Sequence, residues 1–107
     1  MEYLEFIEPP VFSRRRAELL PDDDFRALQE HLLKIHDLGD TISKTGGCKK
    51  IRWSREGMGK RGGVRVIYYV ITKSGRLYLL LVYPKNEKDD LTEAEKAVLK
   101  SISQQIE

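Results

Sequence analysis

The sequence predicts an α+β fold: a small, mainly antiparallel β-sheet with helices packed on it, in the order β-α-α-β-β-β-α. Three observations carry this. Phe25, Leu28, Leu32 and Ile35 recur at helical spacing. From Lys49 to Tyr83 the pattern changes to period two and β-branched runs. At Thr92 the run Thr92-Glu93-Ala94-Glu95 has the form of a capping box, where hydroxyl and carboxylate satisfy each other's backbone N–H groups.

In chain order, Tyr3 to Ile7 reads as a short edge strand, stopped by Pro9-Pro10. Proline opens a helix well, because its missing N–H had no helical partner. The first helix, Val11 to Leu20, is expected to turn Phe12, Leu19 and Leu20 inward and Arg14, Arg15 and Arg16 outward. Pro21 ends it, and Asp22, Asp23 and Asp24 are expected to supply the N-cap of the second helix. Leu38 to Gly47 reads as a loop. In the strand that follows, Ile51 and Trp53 share one face and Lys50 and Arg52 the other. Val64 to Thr72 is apolar on both faces, as in a central strand. Lys73 to Arg76 turns the chain into the hairpin partner Leu77 to Tyr83. The closing helix is expected to rest on the sheet through Ala94, Val98, Ile102 and Ile106.

With 107 residues, 40% of them hydrophobic, the chain can bury a core without metal or disulfide, and one domain over residues 1–107 is expected. A single cysteine suits a reducing compartment. Neither a secretory signal nor an apolar run approaching the roughly 20 residues of a membrane span is visible, so a cytoplasmic protein is expected.

The net charge of +2 hides an asymmetry. Residues 46–65 hold seven basic side chains against Glu56, whereas residues 1–45 hold six basic and ten acidic. A basic segment on a near-neutral body points to a polyanion partner. Lys49, Lys50 and Arg52 lie on its strand, with Arg55, Lys60 and Arg61 in the glycine-rich loop Ser54 to Gly63. That loop is neither a Walker loop nor a dinucleotide fingerprint, because the lysine has no following Ser or Thr and no strand–helix context surrounds it.

Arg65 is the most informative residue. It enters a strongly apolar strand on the face of Ile67, Tyr69 and Ile71. An arginine there either snorkels to water or holds an anion. Hairpin pairing about Lys73 to Arg76 brings Lys85 and Glu87 to the same sheet end. Arg65, Lys85 and Glu87 are thus the catalytic candidates for phosphodiester cleavage, which needs a base at a 2′-hydroxyl, cations on the developing phosphorane and a proton for the leaving 5′-oxygen. Lys49, Lys50, Arg52, Arg55, Lys60, Arg61 and Tyr83 are the RNA-binding candidates, Tyr83 by stacking on a base.

Other residues carry blander readings. His31 and His36 are five apart and do not share a ligand face, Cys48 reads as a small buried hydrophobe, and Asp89-Asp90 precedes a helix. No metal site or cofactor is expected.

The runs Thr45-Gly46-Gly47-Cys48-Lys49-Lys50-Ile51-Arg52, Gly59 to Tyr69, and Leu80 to Glu87 with Asp90-Leu91 resemble RelE/HigB-type toxins of bacterial type II toxin–antitoxin systems, with the HigB branch most similar. The resemblance extends in order over nearly the whole chain. It implies a metal-independent mRNA interferase that enters the ribosomal A site and cuts mRNA there, using the neighbouring 2′-hydroxyl as nucleophile. It further implies a cognate antitoxin of helix-turn-helix HigA type, with operator DNA contacted only through the antitoxin complex. Carried over by position, Arg65 is the arginine of the G-G-x-R strand and Lys85 the lysine after the last strand. Such toxins commonly place Arg or His beside the latter, where this chain has Asn86. Some use a Tyr or His near the C-terminus, where residues 104–107 offer Gln104, Gln105, Ile106 and Glu107. A non-cleaving RNA- or ribosome-binding module is the alternative.

Overall fold

The computed structural model describes residues 4–53, 63–88 and 90–106. Elements run β1 (Glu5–Ile7), α1 (Pro10–Leu19), α2 (Asp22–Lys34), β2 (Asp40–Thr41), β3 (Lys49–Trp53), β4 (Val64–Ile71), β5 (Arg76–Pro84) and α3 (Glu93–Gln105). The strands form one mixed sheet in the order β1-β5-β4-β3-β2. β1 runs parallel to β5, and every other pairing is antiparallel. The expected α+β class and element order hold, with one added strand. β2 lies inside the expected loop. Two residues are too few for a period-two signal, and β2 exists through pairing of Asp40 with Lys50 and Thr41 with Lys49.

Both faces of the sheet are covered. On one, α1 and α2 close over Ile51, Val64, Val66, Tyr68, Leu77, Leu79 and Val82, contributing Phe12, Leu20, Phe25, Leu28 and Leu32. On the other, α3 packs Leu99 onto Cys48, Ile67, Tyr69, Leu80 and Tyr83. Three helix expectations are corrected. Asp22, Asp23 and Asp24 occupy the first turn of α2 and Pro21 stands at the cap, so the carboxylates act on the helix dipole rather than as caps. Ile35 leaves the apolar stripe and is 43% exposed, because its φ of −135° lies beyond the helix end. On α3 the expected stripe holds in part: Ile102 and Ile106 pack against the sheet cluster, whereas Ala94 and Val98 are exposed. Val98 is 58% exposed, while Leu99 and Ser103 are buried. A count of apolar residues misses Ser103, whose Oγ lies 3.2 Å from Thr45 O and 2.8 Å from Lys100 O.

That contact also explains Gly46. Its φ of +77° is left-handed, and a Cβ there would collide with Ser103 Oγ. The capping box at Thr92 is formed as expected, with Glu95 N donating to Thr92 Oγ1 at 3.1 Å and Thr92 N donating to Glu95 Oε1 at 2.8 Å.

One irregularity positions the site. Ile67 pairs with Leu81, but Tyr68 pairs with Leu79, so Leu80 is an extra residue in β5. The bulge offsets the register towards the sheet end. The hairpin closes with Ile71 opposite Arg76, so an unbroken register would put Val82 opposite Arg65; the extra residue brings Tyr83 there, and Lys85 lies just past the strand, its N–H donating to Gly63 O at 3.3 Å.

Candidate functional site

The site is built on the α3 face, at the sheet end where β3 finishes, β4 begins and β5 finishes. Alternation puts Lys50 and Arg52 of β3, Arg65 of β4 and Tyr83 of β5 on this face. Arg52 pairs directly with Arg65 across the strands, and Arg65 pairs with Tyr83 on its other side. Like charges directly opposite one another destabilise a sheet unless an anion intervenes. Arg65 is only 5% exposed, and its Nε is buried without a hydrogen-bond partner among the described residues. Among the described residues, neither Arg52 nor Arg65 makes an ion pair.

The carboxylates nearby are committed to lysines. Lys50 Nζ lies 3.5 Å from Asp90 Oδ1, and Lys88 Nζ lies 2.5 Å from Glu95 Oε2. The hydrogen bond from Lys88, followed by that from Thr92 N, holds the Glu95 carboxyl below the usual carboxylate range. Lys88 Nζ also sits 5.2 Å from the Tyr83 ring centroid. Lys88 was not singled out from the sequence. Its only signal there is a basic residue five past Tyr83, in a turn that can fold back on the strand.

The three catalytic candidates occupy different surroundings. Arg65 is buried in the sheet. Lys85 is exposed in the turn after β5, and among the described residues it makes no ion pair. Glu87 is in the same turn, its Oε1 held 2.5 Å from Nη2 of Arg15 on α1. That pair borders an open pocket lined by Val11, Arg14, Leu81 and Lys88 among others.

The RNA-binding candidates also divide. Lys50 and Arg52 are on the site face. Lys49 is on the opposite face, opposite Tyr68, with Nζ donating to Thr41 Oγ1 at 3.0 Å. Arg55, Lys60 and Arg61 lie outside the described residues. Tyr83 is 3% exposed, so its ring is not presented to a base as the sequence reading expected. Trp53 and His31 are likewise engaged with each other, ring centroids 5.3 Å apart, and Trp53 Nε1 donates to Asp24 O.

Cys48 is fully buried, as expected, and burial pushes its thiol up in pKa, against the smaller opposing effect of its hydrogen bond with Thr45. No described helix is long and apolar enough to cross a membrane.

This arrangement can hold an anion: two facing arginines, with lysines at the rim. Among solved structures, the fold is similar to that of a double arginine-to-alanine mutant of the E. coli toxin RelE in the free state. That match has a TM-score of 0.58 and 16% sequence identity, covering 97% of this chain and 98% of the other. A family model described as the RelE toxin of the RelE/RelB toxin–antitoxin system matches residues 15–107. The chain therefore belongs to the RelE toxin family of toxin–antitoxin systems.

Proposed function

We propose that this toxin is a ribosome-dependent mRNA endoribonuclease of the HigB branch that cleaves mRNA in the A site and so stops translation. The carrying observation is the Arg52–Arg65 pair. Two arginines stand directly opposite each other in the register of adjacent strands, one of them buried, and neither makes an ion pair with a carboxylate among the described residues. The backbone phosphate of RNA supplies the missing charge.

In the reaction, the 2′-oxygen of the substrate attacks the adjacent phosphorus while the bond from phosphorus to the 5′-oxygen breaks. The products are a 2′,3′-cyclic phosphate and a free 5′-hydroxyl. No redox step or water is consumed. The 2′-hydroxyl proton goes to a base and a proton is delivered to the leaving 5′-oxygen. Arg65 carries the phosphorane charge, with Lys60 as a further candidate for that work. Lys85 is exposed and free of ion pairs among the described residues, which suits proton delivery or charge stabilisation. Glu87 serves as base only once Arg15 releases it. The partners are a cognate HigA-type helix-turn-helix antitoxin, the ribosome and its mRNA. Operator DNA is reached only through the antitoxin complex, and the site of action is the cytoplasm.

One observation favours a second reading. Among the described residues of the turn after β5, the carboxylate of Glu87 is engaged by Arg15. A site without a free base would bind RNA and block the ribosome without cutting.

The test is cell-free translation with purified protein, mapping mRNA 5′ ends by primer extension. Cuts at A-site positions are expected only with ribosomes, weakened on the order of 100-fold or more by Arg65→Ala and reduced by Lys85→Ala. Translation arrest with intact mRNA would select the non-cleaving module.

A further inference from the structure

Tyr83 has a hydroxyl that packing does not explain. Its ring belongs to the apolar cluster with Leu80, Leu91 and Leu99. A phenylalanine would fill that space equally well. Yet the chain places a phenol there, with its oxygen buried and without a hydrogen-bond partner among the described residues. Native structures leave few buried polar atoms unsatisfied, and each calls for a reason.

The second such atom in this region is Arg65 Nε, on the residue directly opposite Tyr83. Cross-strand neighbours in antiparallel register bring their side chains close on the shared face. The two residues also interact electrostatically. Burial raises the Tyr83 phenol above its ordinary value, the Arg65 charge works in the lowering direction, and Glu95 and Asp90 add to the rise. The net direction keeps the phenol neutral near pH 7, with a proton to donate.

We infer that Tyr83 and Arg65 form one two-donor seat for a single phosphate of the RNA, in which the Tyr83 hydroxyl, not its ring, does the recognising. The O–H donates to one non-bridging oxygen and the guanidinium to the other, in a dry setting where charge-assisted hydrogen bonds are strongest. Lys88 sits over the ring and Glu95 holds Lys88. The seat lies beneath this ion pair. It accounts for both unsatisfied atoms at once, and it replaces the base-stacking role that sequence alone assigns to Tyr83. This inference rests on the RNA-cleaving reading above.

The experiment compares wild type, Tyr83→Phe, Arg65→Ala and the double variant on mRNA-programmed ribosomes, measuring kcat and KM of cleavage. Thermal unfolding is run alongside. Tyr83→Phe is expected to lower kcat about tenfold or more, leave KM nearly unchanged, and keep or raise Tm. In the Arg65→Ala background the same substitution is expected to change little, because the two donors act on one phosphate. Full activity of Tyr83→Phe beside an impaired Arg65→Ala overturns the shared seat and leaves the cleavage reading standing. So does a Tyr83→Phe loss that multiplies independently with that of Arg65→Ala. A wild type that cuts nothing overturns the cleavage reading and the seat with it.

Discussion

The two faces of the sheet each bury a tyrosine, but the two hydroxyls differ in their hydrogen bonding. Tyr68, under α1 and α2, is fully buried and its hydroxyl is satisfied: it accepts from Gly39 N and donates to His36 O, each at 2.9 Å. Tyr83, on the α3 face, is buried almost as deeply and its hydroxyl has no partner among the described residues. The first phenol ties a loop to the core. The second stands opposite Arg65, whose Nε also has no partner among the described residues. Burial alone therefore does not separate structural from functional residues in a small sheet. Hydrogen-bond satisfaction is the further property in which these two tyrosines differ.

The largest way to test this contrast is by cavity. Leu28 on α2 is fully buried in the α1–α2 face, and Leu28→Ala is expected to cost about 2–5 kcal/mol by denaturant unfolding. Leu99→Ala on α3 is expected to fall at the lower end of that range, because its surroundings include half-buried Ile102, Ile106 and Leu81 that can close on the space. Equal losses would mean that both faces are structural in the same sense.

Next in size is the tyrosine pair itself. Tyr68→Phe strands Gly39 N–H and His36 C=O in the interior, and is expected to destabilise by roughly 1–3 kcal/mol. Tyr83→Phe removes an unsatisfied oxygen and is expected to be neutral or slightly stabilising. If both substitutions destabilise equally in chemical denaturation, the Tyr83 hydroxyl has a protein partner after all, and the contrast between the faces fails.

The same contrast explains what was legible in the sequence. The α1–α2 face follows period rules: Phe25, Leu28 and Leu32 on the helix and Ile51, Val64, Val66 and Val82 on the strands announce themselves by spacing. The α3 face breaks those rules. Its helix buries Ser103, a residue no apolar count selects, whose hydroxyl donates to Thr45 O. Its register depends on the Leu80 bulge, which hairpin symmetry about Lys73 to Arg76 cannot foresee. Arg65 was legible because a charge in an apolar run is conspicuous on its own. Sequence places Tyr83 near cations but does not give its burial, which leaves the ring only 3% exposed. Lys88 gave no preference over Lys85 until the turn folded it back onto Tyr83.

The smallest expected effect lies where the two systems meet, at the start of α3. Glu95 closes the capping box and also holds Lys88, and both contacts lower its pKa in the folded state. A carboxyl lowered on folding contributes stability that is present above its unfolded value, about 4.3, and lost as pH falls through the lower folded value. The carboxylate is partly exposed, so solvent screens the pair and the effect is modest. Glu95→Gln keeps an acceptor for Thr92 N but removes the titration. Its Tm near neutral pH is expected to lie slightly below that of wild type, and the gap is expected to narrow as pH drops below the carboxylate range. A gap that stays constant with pH would show that the charge of Glu95 contributes nothing to stability through either contact.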